Sequence, residues 1–141
     1  EGSDDSEYHG TSAAIEYAIK HLQVEHIIVM GHSGCGGIGS LMMPPAKEKA
    51  EEYSFIRPWM NIVKAASEFT EEEKAVMNET SRISVCEKRA ILISLDNLVT
   101  FPWIKEAIKL GILQLHGWYF DIKSGNLSEY NWQEKIFEEI S

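Results

Sequence analysis

Four consecutive apolar residues, Ile27-Ile28-Val29-Met30, run directly into Gly31-His32-Ser33-Gly34-Cys35-Gly36-Gly37. Few folds accommodate both halves of that stretch. A short, β-branched run bounded by glycine reads as a buried strand. The polar, glycine-rich segment after it reads as the loop at the strand's carboxyl end, where open α/β sheets place their ligands. His32 and Cys35 stand three residues apart in that loop. At this spacing both can turn toward one metal ion, and imidazole nitrogen and thiolate sulfur are donors that zinc prefers. Gly34 lets the backbone bend sharply, and Gly36 and Gly37 let it approach a small ligand. Their main-chain N–H groups, at the start of whatever helix follows, suit an anion. Without a metal, the same residues make a glycine-rich strand-to-helix turn with a buried thiol.

The rest of the chain reads as alternating helix and strand. Thr11 or Ser12 caps a helix to about Leu22, with Ile15, Ala18, Ile19 and Leu22 on its apolar face. Ile38, Leu41 and Met42 mark a short helix ending before Pro44-Pro45, and Lys47 to Glu52 is a solvated charged run. Phe55, Ile56, Trp59, Met60 and Val63 mark an amphipathic helix with Pro58 near its first turn. Thr70-Glu71-Glu72-Glu73 is a capping box. The helical pattern it starts continues through Val85, Ile91, Leu92, Leu95 and Leu98, with or without a break near Asn78, and Cys86 within it is a small buried hydrophobe. Pro102 opens another helix and Gly111 ends it. Leu113 to Ile122 is a strand and Lys123-Ser124-Gly125-Asn126 a turn, with a short return at Leu127. Asn131 and Glu134 would cap a last helix.

Composition narrows the function classes. With 141 residues, 44% of them hydrophobic, the chain has one domain's worth of sequence and enough apolar material for a core. The net charge of −9, without a basic cluster, argues against nucleic acid as a partner. No apolar run has membrane-spanning length. Two cysteines, Cys35 and Cys86, do not make a disulfide framework and fit a reducing compartment such as the cytoplasm. The opening Glu1-Gly2-Ser3-Asp4-Asp5-Ser6-Glu7 reads as an acidic loop rather than a signal peptide.

Four stretches, in order, resemble the β-class carbonic anhydrases: His9 to Ala18, Gly31 to Gly37, Leu92 to Trp103, and His116-Gly117-Trp118-Tyr119-Phe120-Asp121-Ile122. The resemblance implies an α/β fold, with a mostly parallel central sheet flanked by helices and the Leu113–Ile122 strand at or near an edge, antiparallel in orientation. It implies a zinc enzyme that interconverts carbon dioxide and bicarbonate, and a homodimer or tetramer. In that family two cysteines and one histidine hold Zn2+, and His32 and Cys35 match the second and third of these. Tyr17 matches an aromatic residue lining the substrate cleft, and the backbone of Gly36 and Gly37 matches the part that approaches substrate. Zinc held by three protein groups keeps a fourth position for water and lowers that water's pKa.

The family's first zinc cysteine lies upstream in a Cys-x-Asp-x-Arg motif, and this sequence has none. Cys86 is followed instead by Glu87-Lys88-Arg89. The expectation is therefore a single carbonic anhydrase-like domain over residues 1–141 that lacks its amino-terminal part. Three other readings stand beside it. One is a non-catalytic module of the same fold with an incomplete zinc site. Another is a related hydrolase of carbon disulfide or carbonyl sulfide. The third is an α/β-hydrolase with Ser33 as nucleophile and Asp96 and His116 as partners, although Cys35 stands where its strand-to-helix elbow needs glycine.

Overall fold

The structure, a computed structural model, describes residues 9–43 and 56–141. Helix α1 (Gly10–Lys20) leads to strand β1 (His26–His32), α2 (Gly36–Met42) and α3 (Ile56–Asn61). A 3-10 turn at Lys64–Ser67 precedes α4 (Glu71–Val76), α5 (Glu79–Val99) and α6 (Pro102–Lys109). Strands β2 (Gln114–Phe120), β3 (Leu127–Asn131) and β4 (Ile136–Glu139) complete the chain. The sheet order is β1-β2-β3-β4, with β1 and β2 parallel and the other two pairs antiparallel. The architecture is the expected α/β, and among the described residues its sheet is mixed.

Side chains on a strand alternate between faces, and here the two faces differ sharply. Ile27, Val29 and Leu115 point toward the helices and join Ile15, Ile19, Leu98, Ile104 and Ala107 in one core cluster. Gly31 and Gly117 are on the same inward face, and α5 lies directly on them. A Cβ on Gly31 would stand 2.8 Å from the Ile91 side chain, and one on Gly117 would stand 2.9 Å from Leu95 Cδ1. The two glycines are therefore seats for a helix. His26, Ile28, Met30 and His32 alternate onto the opposite face, where Met30 is 64% exposed. The apolar run thus forms a strand covered on one face, not buried on both.

Local signals at the helix ends hold. Thr70 and Glu73 form the full capping box, Pro102 occupies the first turn of α6, and Gly111 follows it in the left-handed region at φ 71°. The break near Asn78 is present, because the Asn78 side chain accepts from the Ser81 amide and starts α5 afresh. Three expectations need correction. The first helix begins at Gly10 with no side-chain cap and ends at Lys20, leaving Leu22 62% exposed. Strand β2, expected at or near an edge, is second in the sheet order, parallel to β1 and antiparallel to β3.

The expected last helix is a hairpin of β3 and β4. Asn131 Oδ1 does accept from the Gln133 and Glu134 amides, as at a helix start. Lys135 then takes φ 57° and turns the chain back, so Phe137 packs beside Tyr119 and Tyr130. The helix at Trp59 is shorter than expected, spanning Ile56–Asn61 with Pro58 in its first turn. Phe55, Pro44-Pro45, the Lys47–Glu52 run and the acidic opening lie outside the described residues.

Candidate functional site

β1 ends at His32, and the chain turns through Ser33 and Gly34 into α2. Gly34 takes φ 69°, a left-handed conformation that a side chain would strain. Cys35 is the N-cap residue of α2 and is half-buried. His32 Nδ1 lies 3.0 Å from the Ser33 carbonyl oxygen. A carbonyl only accepts, so Nδ1 carries the proton, which in the neutral ring leaves the lone pair on Nε2. His32 and Cys35 line one cavity of about 310 Å3, walled by Met30, Ile38, Trp59, Met60 and Glu87. Apolar side chains dominate that wall.

Both flanks of the loop are tied down. The Ser33 amide donates to the Phe120 carbonyl at 2.9 Å, and its hydroxyl donates to Asp121 Oδ1 at 2.7 Å while accepting from the Ile122 amide at 2.9 Å. The Ser33 hydroxyl is the largest influence holding the Asp121 carboxyl down to about 2, with the Ser124 hydroxyl next. On the other flank the Cys35 amide donates to Glu87 Oε1 at 3.0 Å. Tyr119 donates its hydroxyl to Glu87 Oε2 at 2.8 Å. Burial, more than any neighbour, pushes the Tyr119 phenol up to about 12, so it stays a donor.

The donor set fits a metal in part. His32 and Cys35, an imidazole and a thiol, line the same cavity. Cys86 does not join them as a third donor. It is fully buried within the cluster of Ile38, Met60 and Ala66, and that burial pushes its thiol up to about 11. Among the described residues no group of three or more His, Cys, Asp or Glu side chains is placed to hold a metal ion.

The remaining singled-out residues lie elsewhere. Tyr17 is 56% exposed on α1, stacked on His21, and is not part of the cavity wall around His32 and Cys35. Gly36 and Gly37 line an adjoining hollow of about 580 Å3. A Cβ on Gly37 would meet Met60 Sδ at 2.9 Å, so this glycine admits the thioether beside Cys35. The hydrolase triad is not assembled. Ser33 bonds Asp121, His116 bonds Glu129 and His26, and Asp96 is exposed. His116 is thus a hydrogen-bonded strand histidine. Sequence reasoning missed Glu87, although a carboxylate one and two turns before Ile91 and Leu95, in the apolar stripe of α5, was a visible signal.

A family model described as carbonic anhydrase matches residues 4–127. The chain is 36% identical over 120 residues to beta carbonic anhydrase 6, mitochondrial, of Arabidopsis thaliana. It is 39% identical over 111 residues to beta carbonic anhydrase 5, chloroplastic, of the same plant. These alignments take in 85% and 79% of this chain but 41% and 36% of the relatives, so the chain spans well under half of their length. Among solved structures it resembles the β-carbonic anhydrase CcaA at a TM-score of 0.82 and 27% identity, over 98% of this chain and 61% of that one. It also resembles a tetrameric β-carbonic anhydrase from Sordaria macrospora at 0.72 and 32%, over 84% and 58%. The organellar names of the two plant relatives lend no support to a cytoplasmic location, and no helix of the described residues is long and apolar enough to cross a membrane. With its fold, its order of motifs and its matched span all in agreement, the chain belongs to the β-class carbonic anhydrases.

Proposed function

We propose that the full-length protein is a zinc carbonic anhydrase, hydrating carbon dioxide to bicarbonate and a proton, and that His32 and Cys35 supply two of its metal donors. The observation that carries this is the shared cavity: an imidazole whose Nδ1 is engaged by the Ser33 carbonyl and a cysteine line the same largely apolar space. A third donor comes from outside the described residues, and the 141 residues form one carbonic anhydrase-like domain with it. Zinc, when bound, supplies a Lewis acid and an activated water.

The chain's own residues do the rest. Ser33 and Asp121 fix one side of the loop, and the Gly36-Gly37 backbone faces substrate. The apolar wall of Met30, Ile38 and Trp59 suits a substrate without charge. Tyr17 serves as a cleft residue only where the assembled protein brings a further wall to it. Self-association as a dimer or tetramer is part of the same reading, supported by the tetrameric relative and by exposed Met30 and Trp59. A cytoplasmic location rests on the cysteine content alone.

The test is zinc content and CO2 hydration of the purified full-length protein beside His32→Ala and Cys35→Ala. We expect about one zinc per chain in the wild type and loss of zinc and of hydration in both variants. A wild type without zinc would leave a non-catalytic module of this fold, and CS2 turnover exceeding CO2 turnover would make it the related hydrolase.

A further inference from the structure

Glu87 is the one charged side chain buried among the described residues, at 3% exposure. Among the described residues its carboxyl forms no ion pair. One oxygen accepts the Cys35 amide and the other accepts the Tyr119 hydroxyl, so both are satisfied by neutral donors. Buried polar groups persist where such pairing is complete. The chain of contacts runs from the middle of the sheet, through α5, to the loop: Tyr119 is on β2, Glu87 on α5, and Cys35 begins α2.

The reach is set by packing. Ile91, one turn beyond Glu87, rests on Gly31, and Leu95 rests on Gly117. With no Cβ at either glycine, α5 lies close enough to the sheet for Glu87 to span to Tyr119 on one side and Cys35 on the other. A longer gap would leave one oxygen and one donor unpaired inside the protein. Glu87 also shares the cavity wall with His32 and Cys35.

We propose that Glu87 is a positioning residue for the candidate metal loop, holding the Cys35 main chain through its amide so that Sγ is presented beside His32. The proposal rests on the zinc reading above. It assigns Glu87 no contact with substrate and no proton to move. The hydrogen-bonded partners behind metal ligands set ligand orientation, and their loss lowers metal affinity by about 10–100-fold.

The full-length protein is compared as wild type, Glu87→Gln, Glu87→Leu and Tyr119→Phe. Zinc affinity is read by chelator competition, and the ligand geometry by the thiolate-to-metal absorption of the cobalt(II) form. Glu87→Gln keeps an oxygen for the Cys35 amide and should stay within about threefold of wild type. Glu87→Leu fills the space without an acceptor and should bind zinc about 10–100-fold more weakly, with a changed cobalt spectrum. Tyr119→Phe leaves Glu87 and the apolar packing in place and should show about a tenfold loss. A folded Glu87→Leu protein with wild-type zinc affinity and cobalt spectrum overturns the proposal. If that variant does not fold, wild-type affinity and spectrum in Tyr119→Phe overturn it equally. A wild type that holds no zinc overturns the zinc reading and this inference with it, whereas a zinc-loaded wild type with unaffected variants sinks only the role of Glu87.

Discussion

Asp121 shows how much one carboxylate settles at the residue scale. It gathers the Ser33 and Ser124 hydroxyls and the Lys123 amide, and these bonds draw its carboxyl from the ordinary 3.8 down to about 2. A carboxyl depressed by folding stabilises the fold above its unfolded value, and that contribution fades as pH falls through the folded one. The Ser33 and Ile122 amide signals should therefore hold below pH 3.8 and move only as pH nears about 2. In Asp121→Asn that titration should vanish. Carbon-detected NMR of the wild-type carboxyl titrating near 3.8 would refute it. His32 and Cys35 were legible in the sequence because their chemistry and spacing are local. Glu87 was legible only as a carboxylate within the apolar stripe of α5, because its partner Cys35 lies 52 residues away and only the tertiary fold brings the two together.

At the element scale, the contact between α5 and the sheet leaves no room for a side chain at either glycine beneath it. Gly31→Ala and Gly117→Ala each drive a methyl into Ile91 or Leu95, both buried. Overpacking of this kind costs about 1–3 kcal/mol, measurable by urea unfolding. Ile91→Val removes Cδ1, one of the two atoms closest to the new methyl at Gly31, and should recover part of the loss in Gly31→Ala. Unchanged midpoints in both alanine variants would show that the helix has room to spare. Thr70, Pro102 and Gly111 were readable beforehand, since a cap or a stop is decided within one turn of chain. The β3–β4 hairpin was not. The bonds from Asn131 to the next amides are common to helix starts and tight turns, and what decides between them is Phe137 finding Tyr119 and Tyr130.

For the whole molecule, the sheet is covered by α1, α5 and α6 on one side, while Ile28, Met30 and Phe120 remain exposed on the other among the described residues. An apolar face of this kind fits burial against another surface. Sedimentation velocity of the full-length protein should give a dimer or larger species, and a strict monomer would refute self-association. The parallel pairing of β1 with β2 also has a temporal side. Cys35 meets Glu87 across 52 residues, and Ser33 meets Asp121 across 88. A ribosome adding about 5–20 residues per second takes roughly 4–18 s to cover the longer of these distances. Until Glu87 is made the nascent loop has no clamp on either flank, and the Ser33 flank stays open until Asp121 follows. On the zinc reading proposed above, the loop gains both clamps only after β2 has been synthesised, and its thiol is least protected before then.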